Sequence, residues 1–287
     1  MSEDPALMPE RVAQCAVLAM LFELSSSPKP GNVDRCHDFS DIGFHHFLTS
    51  AVSAYPIFLK AACGKSRPGS LIFEGVQAWQ TWNLKSNTHF GSLVLMIPIA
   101  IAAGRSGELR LELEGVLEKS TVDDSIDFYR AFALAGARVA DVGDFSLKDQ
   151  NSSEAIRNRG KSLLDLMKLS AGHDLVAREW STHYQRSFHL AERLVAQTDR
   201  WGYNDGIVRT FLEALEEVPD SLISAKFGQK IAREVSRLAG EALLDPTLGL
   251  ARRLDDDLLA RDINPGSTAD LIASSLFISL LNGLRFV

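Results

Sequence analysis

A chain of 287 residues, 46% hydrophobic and 8% aromatic, is long enough for one large domain or two small ones with a real core. Its formal net charge of −7 argues against general nucleic-acid binding, because phosphate backbones demand a basic face, but leaves room for a local basic pocket. Three scattered cysteines (Cys15, Cys36 and Cys63) without a CxxC pair argue against a disulfide framework or a zinc site, and the acidic start MSEDPALMPE does not read as a signal peptide.

Along the chain, helical periodicity dominates. Pro9 precedes RVAQCAVLAMLFEL (11–24), which repeats apolar residues at three- and four-residue spacing. FHHFLTSAVSAYPIFLKAA (44–62) does the same, with Pro56 as a kink. SLIFEGVQAWQTW (70–82), SLVLMIPIAIAA (92–103), TVDDSIDFYRAFALA (121–135) and SEAIRNRGKSLLDLMKLSA (153–171) follow. DLVAREWSTHYQRSFHLAERLVAQ (174–197), GIVRTFLEALEEV (206–218) and SLISAKFGQKIAREVSRLAGEAL (221–243) lead to GLARRLDDDLLARD (249–262) and TADLIASSLFISLLNGL (268–284). Thr121 with Asp124 forms an N-cap pair. The longest irregular piece is 138–152. No strand run, hairpin turn or fixed-period repeat stands out. The most apolar segments fall short of the roughly 20 residues that span a bilayer. The expectation is a soluble, cytoplasmic, all-α protein with one multi-helix domain over 1–287 and about eleven helices, Cys15 and Cys63 being core thiols.

Four polar clusters interrupt this frame. In SSPKPGNVDRCHDF (26–39), Pro28 and Pro30 stiffen the loop and Gly31 admits an unusual backbone angle. Lys29 offers a cation, Asp34 and Asp38 carboxylates, and His37 a proton near neutral pH. The same pattern also suits a helix-breaking turn with capping aspartates. SNTHFG (86–91) sets Asn87, Thr88 and His89 ahead of an apolar helix, with Gly91 in its first turn, where free amides favour either an anion or an ordinary cap. NPGSTADL (264–271) repeats the arrangement with Ser267 and Thr268. Asp124 and Asp127 share a helix face and repel unless a cation lies between them or water solvates them. The acidic run RRLDDDLLARD reads as a solvated face without a site. REW (178–180) suits a buried salt bridge as well as a phosphate contact. Together, carboxylates, histidines and helix starts suit a divalent cation with phosphates.

SSPKPGNVDR, SNTHFG and NPGSTADLIASSLF, in that order over residues 26–277, resemble the triphosphoribosyl-dephospho-CoA synthase family. The resemblance implies an all-helical transferase that binds ATP as substrate together with 3′-dephospho-CoA. Adenine leaves the ATP ribose, and the 2′-hydroxyl of the acceptor takes its place in a cofactor-biosynthesis reaction. On that resemblance, Asp34 or Asp38 stabilises the charged sugar, His37 or His89 protonates adenine, and Asp38 or Glu23 accepts the hydroxyl proton. Lys29 and Arg35 hold triphosphate oxygens. Mg²⁺ bridges phosphates to Asp124 or Asp127. Gly31, Asn87, Thr88, Gly91, Ser267 and Thr268 complete the nucleotide and phosphate contacts. The chain departs from the family pattern in a shortened CHDF segment, in Phe90 where a lysine follows the Thr-His pair, and in PGSTADL for PGGSADL. It is therefore similar to a divergent branch, of the kind in methane-producing archaea and one-carbon-metabolising bacteria, where the acceptor can differ. The rival readings are a magnesium-dependent N-glycosidic hydrolase and a non-catalytic nucleotide-binding protein. The last helix suits either the core or a homo-oligomer interface.

Overall fold

The computed structural model describes residues 7–38, 42–84, 88–136, 157 and 160–285, and every regular element among them is a helix. In chain order these are α1 (Pro9–Ser25), α2 (Phe44–Ser53), α3 (Tyr55–Ala62), α4 (Pro68–Gln80), α5 (Phe90–Ala103), α6 (Leu109–Glu118) and α7 (Val122–Ala135). After these come α8 (Leu163–Ser170), α9 (Leu175–Ser181), α10 (Gln185–Glu217), α11 (Ser221–Phe227), α12 (Gln229–Leu243), α13 (Gly249–Ala260) and α14 (Gly266–Leu281). The class is the all-α one the periodicity predicts. Asn87 and the irregular stretch 138–152 lie outside the described residues.

The described helices outnumber the eleven expected because three long patterns break for local reasons and α6 falls outside the expected patterns, while α10 joins parts of two of them. Pro56, in the first turn of α3, separates it from α2 at Ala54. Gly228, at φ +86°, divides α11 from α12. His183 and Tyr184 take left-handed angles of 52° and 60° and part α9 from α10. No helix among the described residues is long and apolar enough to cross a membrane.

The chain forms two compact units, one of residues through Leu18 with Thr49–Gln185, the other of Ala19–Leu48 with residues from Arg186 onward. In the first unit, α5 is apolar on all sides, and Phe90 and Ser92 to Ala103 are buried, as expected of a core helix. Pro98 interrupts it and has no N–H for the carbonyl of Val94, four residues back. The indole Nε1 of Trp180 supplies the missing donor at 3.2 Å, and the Tyr184 hydroxyl donates to Leu95 O at 3.0 Å. Cys15 is buried as expected, whereas Cys63 is exposed, because it is the C-cap of α3, beyond the helix's buried stripe.

In the second unit, α14 is largely buried and carries buried serines whose hydroxyls bond within the protein. Ser275 and Ser279 bond back to the carbonyls of Leu271 and Ser275 at 2.7 and 2.9 Å. Ser187 and Ser274 share a hydrogen bond of 2.9 Å, and Ser279 donates to Ala191 O at 3.1 Å. Long α10 bends at Gly202, whose φ of 77° and ψ of 170° are not helical.

Candidate functional site

The loop after α1 is not a surface turn. Ser26, Lys29, Asn32, Val33 and Asp34 are all buried. Its backbone is clamped at Ser27, whose N–H donates to Asn204 Oδ1 at 3.0 Å and whose carbonyl accepts from Asn204 Nδ2 at 2.8 Å. Gly31, at φ +76°, lies so close to the 258–265 segment that a Cβ there would stand 2.2 Å from Ile263 O. Its N–H donates to Asp255 Oδ1 at 2.9 Å.

Asp34 organises the turn. Its Oδ1 accepts the amides of Cys36 and His37 at 2.7 and 3.1 Å, and its Oδ2 accepts that of Lys29 at 3.4 Å. This brings His37 Nδ1 to 3.5 Å from Asp34 Oδ1 and 3.0 Å from Asp255 Oδ2. Neither approach has the direction of a hydrogen bond, and among the described residues His37 Nδ1 and Asp255 Oδ2 have no other such partner. Burial pushes the Asp255 carboxyl up to about 6, against the pull of the Gly31 amide and of His37. The His37 side chain is 35% exposed, so with Nδ1 buried the edge that meets solvent is the other one. Arg35 and Asp38 are exposed beside it. Asp38 Oδ1 accepts the Phe44 amide at 2.5 Å, which ties it to the start of α2.

Asp255 is the residue that sequence reasoning missed. The acidic run on α13 reads as a solvated face, but only Asp256 and Asp257 are exposed. Asp255 is fully buried, on a stripe with Ala251, Leu254 and Leu258. That three- and four-residue spacing, applied to the aspartates themselves, is the signal that could have found it.

The structure commits several expected site residues elsewhere. Lys29, expected on triphosphate, is buried and paired with Glu23, which was expected to act as a base. Burial raises the Glu23 carboxyl, and Lys29 pulls it back. Thr268 spends its N–H and Oγ1 on Asp220 Oδ2 at 2.7 and 2.8 Å, and Ser221 donates to Ser267 Oγ at 2.7 Å. Asp220, fully buried, also accepts Leu222 N and Ile223 N through Oδ1, and burial raises its carboxyl despite these bonds. A carboxylate of the chain thus already occupies the start of α14, where a phosphate was expected.

The expected metal pair of the first unit is likewise engaged. Asp124 closes the capping box with Thr121, accepting its N–H and Oγ1 at 2.8 and 2.7 Å. Its other oxygen accepts Gly69 N at 2.9 Å and Arg67 at 3.2 Å. Asp127 pairs with Arg67 at 2.9 Å and Arg130 at 3.1 Å. Guanidinium groups therefore supply the cation this face calls for. His89, the N-cap of α5, is buried with Nδ1 2.6 Å from Ser50 Oγ. Thr88 and Gly91, partly buried, flank that helix start. Glu179, in the REW segment, is buried, and Arg178 bonds Ala171 O at 3.0 Å.

A family model described as ATP:dephospho-CoA triphosphoribosyl transferase matches residues 9–286. A protein of Streptococcus equi subsp. equi with the name "Probable 2-(5''-triphosphoribosyl)-3'-dephosphocoenzyme-A synthase" is 26% identical, over 94% of this chain and 96% of its own. A like-named protein of Pseudomonas syringae pv. tomato is also 26% identical, over 96% and 92%. The crystal structure of an Archaeoglobus fulgidus protein named for triphosphoribosyl-dephospho-CoA synthase superposes with a TM-score of 0.70 at 28% identity, covering 83% of this chain and 100% of that one.

Proposed function

The chain belongs to the ATP:dephospho-CoA triphosphoribosyl transferase family, and on that premise we propose that it moves the 5-triphosphoribosyl group of ATP onto the 2′-hydroxyl of 3′-dephospho-CoA. The C1′–N9 bond of ATP breaks, and its electron pair leaves with adenine, which gains a proton. A C1′–O bond forms to the acceptor hydroxyl, which loses one, so protons balance. The observation that carries this reading is the family match over residues 9–286.

The polar centre of the second unit supports it. His37 presents one ring edge to solvent and directs its N–H at the leaving base there. Asp38, exposed one residue on, offsets the charge that grows on the sugar and accepts the hydroxyl proton. Arg35 is an exposed guanidinium suited to triphosphate oxygens. Lys29 and Glu23 hold the loop rather than the substrate. Asp124 and Asp127 do not fit Mg²⁺, since the Arg67 and Arg130 guanidinium groups already pair with and neutralise them. Mg²⁺ belongs instead with the ATP triphosphate, as part of the substrate.

Incubating the purified protein with Mg²⁺ and ATP, with and without 3′-dephospho-CoA, and analysing products by mass spectrometry tests the reading. Adenine and a triphosphoribosyl adduct that appear only with the acceptor are the expected result. Adenine formed without acceptor would make the protein a hydrolase, and no adenine in either tube would overturn the reaction.

A further inference from the structure

We propose that Asp34, His37 and Asp255 form a resident site for a divalent first-row transition ion of the Mn²⁺, Co²⁺ or Zn²⁺ class. The proposal deepens the transferase reading, because the three residues lie at the centre assigned to that reaction. One donor atom from each lies within 4.8 Å of the other two. Two ligands bound at right angles, each about 2.1 Å from an ion, stand about 3.0 Å apart. The Nδ1-to-Oδ2 separation of His37 and Asp255 is 3.0 Å, and that from Nδ1 to Asp34 Oδ1 is 3.5 Å.

The direction of the groups is the second observation. Asp255 is fully buried, and its Oδ2 faces His37 Nδ1 without the line of a hydrogen bond to it or to any other described residue. Lone pairs that converge off-line in this way suit a common ion better than a shared proton. Two buried carboxylates also stand side by side here, a costly arrangement unless a cation joins them.

The ligands are held in advance. The Gly31 amide fixes Asp255 Oδ1, the amides of Cys36 and His37 fix Asp34, and Asn204 fixes the loop at Ser27. Such outer bonds set ligand orientation in metal sites. An imidazole beside two carboxylates favours a transition ion over Mg²⁺ or Ca²⁺, which prefer oxygen alone. Coordination through Nδ1 leaves the His37 N–H on Nε2, at the exposed edge, as a hydrogen-bond donor to the leaving base.

The test uses the whole chain, stripped with chelator, dialysed, and titrated with Co²⁺ or Mn²⁺ alone. Visible absorption follows Co²⁺ and equilibrium dialysis counts bound Mn²⁺. One ion per chain is expected, with affinity falling at least about tenfold in Asp255→Asn and in His37→Ala. Asp256→Asn, an exposed neighbour on α13, is expected to bind as the wild type does. His37→Ala guards against misfolding as an explanation, because its ring is partly exposed, and circular dichroism checks each variant. No binding at millimolar metal would overturn the site, as would equal binding by the folded variants and the wild type. Displacement of Co²⁺ by an equal concentration of Mg²⁺ would overturn the assigned ion class. None of these readouts needs turnover. A protein that binds Co²⁺ as described but releases no adenine would refute the transferase reading and leave the metal site standing.

Discussion

The backbone amide of Gly31 donates to the side chain of Asp255 at 2.9 Å, joining the loop after α1 to α13 across 224 residues of sequence. That bond requires the loop to lie where no side chain fits. A Cβ at Gly31 would meet Ile263 O at 2.2 Å, and φ there is +76°. Gly31→Ala combines left-handed strain of about 1–2 kcal/mol with overpacking of about 1–3 kcal/mol. Urea unfolding is expected to show a loss of about 2–5 kcal/mol on those same grounds. An unchanged midpoint would mean that the loop is free to move away from Ile263.

Lys29 and Glu23 form a buried ion pair, so removing one partner strands the other. Lys29→Met alone is expected to cost about 3–5 kcal/mol, and Glu23→Leu a similar amount. The double variant replaces both charges with apolar groups and is expected to recover most of the loss. A double-mutant cycle by urea denaturation decides it. Additive losses would show that the pair is not a coupled unit.

Part of this architecture is legible in the residues themselves. The Thr121–Asp124 pair is the capping box that its spacing announces, and the all-round apolar character of α5 forecasts its burial. The loop from Pro28 to Asp38 is visible because prolines, glycine and charge are concentrated there. Partners distant in sequence are not visible. Thr268 looks like a free helix start until Asp220 is seen to cap it. Lys29 looks available to phosphate until Glu23 is seen beside it. Asp255 looks solvated because its neighbours Asp256 and Asp257 are, and only the phase of the helix separates them. Short-range chemistry reads from one chain segment, whereas the sites here depend on which segment arrives from far away.

Trp180 completes the α5 backbone by donating to the Val94 carbonyl that Pro98 leaves without a helical N–H. Trp180→Phe keeps most of the ring and deletes the donor, leaving a buried carbonyl unsatisfied at a cost of about 1–3 kcal/mol. In a Pro98→Ala background the helix regains its own N–H, and the same substitution is expected to cost less. Thermal unfolding of the four proteins measures the difference. Equal costs in both backgrounds would separate the indole from the proline.

Asp127 faces Arg67 and Arg130, whose side chains are 43% and 54% exposed. Ion pairs of this kind contribute at most about 1 kcal/mol. Asp127→Ala is therefore expected to change stability by less than about 1 kcal/mol and to leave the Mg²⁺ dependence of adenine release unaltered. A Mg²⁺ requirement shifted severalfold would return a metal-binding role to this carboxylate.

Asp245 sits ahead of α13, the helix that carries Asp255, and organises its entry. Its oxygens accept Thr247 N, Thr247 Oγ1 and Leu250 N at 2.9, 2.7 and 2.9 Å. The Thr247 hydroxyl and amide do most to hold its carboxyl down, from the ordinary 3.8 to about 2. A carboxyl whose folded value lies below its unfolded one binds protons more readily in the unfolded chain. Its contribution to stability is therefore present above 3.8 and lost as pH falls towards about 2. Asp245→Asn removes that titration, so the variant's stability is expected to fall less steeply than the wild type's over this interval. Urea midpoints for both proteins between pH 5 and pH 2 measure it, a window set by ordinary and depressed carboxyl values of about 4 and about 2. Parallel curves would show that the capping bonds do not favour the ionised carboxylate.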